Sequence, residues 1–82
     1  VKANKIELNI KEVGAMKYNL YYIQLIDSEE METVELSRMA IGPSYLIGEI
    51  EAVAKCYNDH GYSLDKARIF NTARELLVSY NL

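Results

Sequence analysis

The chain has 82 residues, half of them hydrophobic and about a quarter charged, with nine Lys/Arg against twelve Asp/Glu and a net charge of −3. That composition excludes a disordered segment, and the length is that of one small domain, expected to run over residues 1–82. A pI near 5.1 argues against a nucleic-acid binder, which needs basic groups to neutralise phosphates, and a single cysteine excludes an internal disulfide.

The opening Val1-Lys2-Ala3-Asn4-Lys5 is polar. No leader or membrane span is expected from it, and the cytoplasm is the expected compartment. A domain of this size buries only about 60% of the surface that its unfolded chain exposes. A partner or a second copy of the chain would widen that thin margin.

Residues 5–13 alternate, with Ile6, Leu8 and Ile10 on one side and Lys5, Glu7, Asn9 and Lys11 on the other. Period two predicts a strand with one wet face. Gly14-Ala15-Met16 breaks the pattern and reads as a hairpin connection. Residues 17–26 read as a second strand, rich in aromatic and β-branched types. Tyr18, Leu20, Tyr22 and Ile26 share one face; Tyr21, Ile23 and Leu25 share the other. Both faces are apolar, as in a central strand covered on both sides. Asp27-Ser28-Glu29-Glu30 is a polar turn, and 31–37 is the third predicted strand.

Gly42-Pro43-Ser44 ends the strand region. A helix is predicted from Ser44 to about Asn58, with Ile47, Ile50, Val53, Ala54 and Tyr57 on one side at helical spacing. Gly42 or Ser44 is the expected N-cap, with Pro43 in the first turn. Gly61 is the expected C-terminal stop. Ser63 then caps a second predicted helix, roughly 64–80, with an apolar stripe of Ile69, Phe70, Ala73, Leu76, Leu77 and Tyr80. The expected fold is therefore α+β: a three-stranded antiparallel meander followed by a two-helix hairpin on the sheet, in the order β-β-β-α-α.

Four constellations carry possible chemistry. Cys56 and His60 stand four apart on the first helix, the spacing of a nucleophile with its base or of two metal ligands. No second Cys or His completes a metal set, and a helix C-terminus disfavours a thiolate. The expectation is thus no catalytic pair, no metal and no cofactor, and so no enzyme. Gly42, Ser44 and Arg38 could receive an anion at a helix N-terminus. No Walker or GxGxxG motif accompanies them, and an ordinary helix cap is the commoner meaning. Asp27, Glu29, Glu30, Glu32 and Glu35 form an acidic run that fits no Ca²⁺ loop and reads as a solvated hairpin tip.

The tyrosines are the fourth. Seven in 82 residues is an excess, and Tyr18, Tyr21 and Tyr22 cluster on one strand. With both helices expected on the face of Leu20, the face of Tyr21, Ile23 and Leu25 is left over as an association surface. The alternative is one helix on each face, which leaves no surplus. The resulting expectation is a non-enzymatic protein-binding module that self-associates through its sheet. Its size and acidity suit a small accessory or inhibitor protein of the kind that phages and other mobile elements encode. The runner-up is a small anionic-ligand or nucleotide binder at the start of the first helix.

Overall fold

The computed structural model describes residues 17–82. The strand expected over 5–13 and its connection at Gly14-Ala15-Met16 lie outside the described residues. β1 (Asn19–Asp27) and β2 (Glu32–Ala40) form an antiparallel hairpin whose register runs from Asn19 opposite Ala40 to Asp27 opposite Glu32. A 3-10 turn at Pro43–Leu46 leads into the helix α1 (Ile47–Asn58). β3 (Lys66–Phe70) and β4 (Leu76–Asn81) form a second antiparallel hairpin. The sheet order is β2-β1-β3-β4.

The expected β-β-β-α-α order is therefore corrected to β-β-α-β-β over the described residues. The predicted second helix is a strand hairpin. The reason is at Asn71. Its side-chain oxygen accepts the backbone N–H groups of Ala73 (3.0 Å) and Glu75 (2.9 Å), while its own N–H donates to the Glu75 carbonyl (3.1 Å). Arg74 takes a left-handed φ of 66° to close the turn. A side chain that hydrogen-bonds nearby backbone in this way competes directly with helix.

The crossover decides where the core sits. β2 and β3 both run antiparallel to β1, so they are parallel to each other with β1 between them. Parallel strands need a long crossover, which α1 supplies. A single helix covers a single face. Ile50 and Ala54 are buried and Val53 and Tyr57 partly so, the spacing expected of one helical stripe. Beneath them lie Tyr21, Ile23, Leu25, Ala67 and Ile69. Leu25, Ala67 and Ile69 have no exposed surface.

This exchanges the two faces of β1. Tyr21, Ile23 and Leu25 were expected to form the uncovered face, on the premise that a helix pair sat on Leu20's side. They are the residues under α1. The other side, Leu20, Tyr22, Gln24 and Ile26, stays half-exposed.

The helix start differs from the expected cap at Gly42 or Ser44, since α1 has Leu46 at its N-cap with no side-chain cap bond, while its end falls at the expected glycine. Gly61 takes a φ of 105°, which L side chains rarely adopt, and the Tyr62 N–H reaches back to the Tyr57 carbonyl at 3.2 Å to close the helix end. The Tyr57 and Tyr62 rings meet edge to face at 5.1 Å across that stop. Asn58 clamps the following loop, donating to the Leu64 carbonyl and accepting the Leu64 N–H at 2.7 Å. Asp27, the first of the acidic run, is buried and caps the β1–β2 turn by accepting the N–H groups of Glu29 and Glu30, both at 3.0 Å.

One buried group has no such partner. The Tyr80 hydroxyl is shielded from solvent and unpaired among the described residues. Burial, and then the Glu51 carboxylate, raise its pKa above the ordinary 10.0. A raised folded-state value leaves stability intact below pH of about 10, and stability falls as pH rises past it. Tyr80→Phe removes the unpaired hydroxyl and is expected to stabilise the domain by about 1 kcal/mol at pH 7. Thermal unfolding at pH 7 and above pH of about 10 checks this: the variant melts higher at both, by the larger margin in alkali.

Candidate functional site

Among the described residues, the face of the sheet opposite α1 is half-exposed. Its floor is built by alternation. Tyr22, Gln24 and Ile26 of β1 stand opposite Ser37, Glu35 and Thr33 of β2 and opposite Phe70, Arg68 and Lys66 of β3. The β3–β4 turn adds a wall. The left-handed residue Arg74 places its guanidinium carbon 4.1 Å from the centroid of the Tyr22 ring, in cation–π distance. Tyr22, Gln24, Glu35, Ser37, Phe70 and Arg74 line a shallow cleft of about 360 Å³. A second depression of about 280 Å³, with Lys66 and Arg68 along it, continues from Gln24 toward the β1–β2 turn.

Among the described residues, β2 and β4 are the outer strands of the sheet, and they differ in chemistry. β2 carries Glu32, Glu35 and Arg38, charges of the kind that discourage edge pairing. β4 reads Leu-Leu-Val-Ser-Tyr-Asn, with no charge and no proline. Leu76 and Leu77 are 53% and 44% exposed.

The predicted anion residues lie apart from the open face. Gly42 is the N-cap of the 3-10 turn, in extended conformation, and its carbonyl accepts the Tyr45 N–H at 3.2 Å. Ser44 is exposed and makes no capping bond. Arg38 gives its Nε–H to the Glu49 carboxylate at 2.6 Å. The cation expected to meet a ligand is thus already paired with a carboxylate of the first helical turn. Cys56 is exposed. The His60 ring donates from Nδ1 to the Cys56 carbonyl at 2.8 Å, so the imidazole is turned to the backbone. Among the described residues no three His, Cys, Asp or Glu side chains come together as a metal site. Nor is any helix there long and apolar enough to cross a membrane.

Sequence reasoning missed the Tyr22, Phe70 and Arg74 group because it placed Phe70 and Arg74 on a helix. The available signal was Asn71-Thr72, a turn pair between two runs of period two, Ala67/Ile69 and Val78/Tyr80. Comparison with protein-family models, with curated proteins and with solved structures finds no match for this chain.

Proposed function

We propose that this chain is a non-enzymatic, cytoplasmic protein-binding module that associates through its sheet, pairing β4 with β4 of a second copy. The observation that supports this is the uncharged outer edge of β4 beside exposed Leu76 and Leu77. An edge strand offers a row of N–H and C=O groups to any matching strand, and nothing in its side chains repels one. Antiparallel self-pairing is two-fold symmetric, so the same patch serves both copies. It doubles the four-stranded sheet and buries apolar surface that so small a domain otherwise leaves wet.

Light scattering of the full chain at micromolar concentration is expected to give the mass of a dimer. Leu77→Lys places a charge on the pairing edge of each copy and is expected to give a folded monomer. A wild-type monomer, or a Leu77→Lys dimer, overturns the β4 pairing.

A further inference from the structure

We infer that the open sheet face is a binding site for single-stranded nucleic acid. The inference uses the face of the sheet and not its β4 edge, so it stands or falls separately from the dimer. The charge distribution comes first. The chain is acidic overall, yet this face gathers Lys66 and Arg68 of β3 and Arg74 of the β3–β4 turn, against Glu35 of β2 and Glu75 of the same turn, whose carboxylate already accepts from the Asn71 side-chain amide at 2.8 Å. Among the described residues the ion pairs engage Arg38 and Lys55, and neither involves these three. Cations that no described carboxylate pairs, in a protein with an excess of carboxylates, point to an anionic partner.

The shape of the partner comes from the rings. Tyr22 and Phe70 are direct cross-strand neighbours, and the Arg74 guanidinium already lies over the Tyr22 ring. Aromatic rings and guanidinium planes are what unpaired bases stack on, whatever their sequence. Phe70 to Lys66 spans about 13 Å of one strand, along which Gln24 joins the two depressions. A base on the Tyr22, Phe70 and Arg74 group therefore leaves its neighbouring phosphates beside Arg68 and Lys66. Gln24 sits between Arg68 and Glu35 in the register, which holds the Glu35 carboxylate a full strand away from the basic row. A duplex buries its base faces in its own stack and cannot use the rings in this way.

The experiment is fluorescence anisotropy of the full chain with labelled mixed-sequence single strands of about 15 nucleotides, DNA and RNA, with the matching duplex as control. Binding of at least one single strand is expected, weakening with salt by a log–log slope of about −2 for three phosphate contacts. Arg74→Glu is expected to weaken it more than tenfold, because it removes a cation and its stacking plane together. Tyr22→Ala is expected to weaken it about tenfold while leaving the salt slope unchanged, since a stacking ring carries no charge. Circular dichroism of both variants confirms that the sheet persists, and Arg74 is an exposed turn residue whose replacement leaves the core untouched. Three results overturn the inference: no binding of either strand at about 50 mM salt, equal affinity for the duplex, or equal affinity for poly-glutamate with no loss on Tyr22→Ala. The last would make the face a site for acidic protein segments.

Discussion

Ile23→Asp is expected to unfold the domain. Ile23 lies at the centre of β1, 2% exposed, between Leu36 and Ile69 in the register and under α1. The substitution loses about 2–3 kcal/mol of apolar burial. It also buries a carboxylate between Leu36 and Ile69, at several kcal/mol more. Together these exceed the stability of about 5 kcal/mol that a domain this small can hold. Gln24→Asp, one residue along, places the same carboxylate on the open face and is expected to cost under about 1 kcal/mol. Thermal melts by circular dichroism separate the two: no cooperative transition for Ile23→Asp, a near-normal one for Gln24→Asp. A folded Ile23→Asp protein would mean that α1 covers the other face.

Asn71→Ala is expected to destabilise the domain by about 2 kcal/mol, the loss of two side-chain-to-backbone hydrogen bonds in the β3–β4 turn. The effect comes from more than the lost bonds. Alanine at this position joins Ala73, Arg74, Glu75, Leu76 and Leu77 into a longer run of good helix formers, so the competing local structure gains as the turn loses. Asn71→Asp keeps the accepting oxygen for Ala73 and Glu75, and its loss is expected to be smaller. Urea midpoints at constant slope measure both. An Asn71→Ala midpoint equal to wild type would show that strand pairing sets this hairpin without help from its turn.

These two positions mark where local pattern stops being informative. β1 is legible from its run of aromatic and β-branched residues, and α1 from the 3.6-residue spacing of Ile50, Val53, Ala54 and Tyr57. Gly61 is legible as the helix stop because only glycine takes its φ of 105° cheaply. The segment 64–80 satisfies both periods. Ile69, Phe70, Ala73, Leu76, Leu77 and Tyr80 fit a helix, whereas Ala67, Ile69, Val78 and Tyr80 fit two strands. Without a glycine or proline at the break, propensity favours the helix. Pairing of β3 with β1 and β4 overrides it, since sheet stability comes from cross-strand neighbours that local sequence does not contain.

The sequence by itself determined that the chain makes an apolar two-faced strand, a strand beside it and an amphipathic helix with a glycine stop. It also determined that Cys56 and His60 have no further Cys or His with which to complete a metal set. Only the tertiary structure decided which face of β1 is core. Both faces carry aromatic and aliphatic residues, so alternation alone is symmetric between them. The crossover from β2 over β1 to β3 breaks that symmetry by laying α1 on one side. The same step leaves Tyr22 and Phe70 open, beside cations contributed by residues 66–74, more than forty positions along the chain from Tyr22.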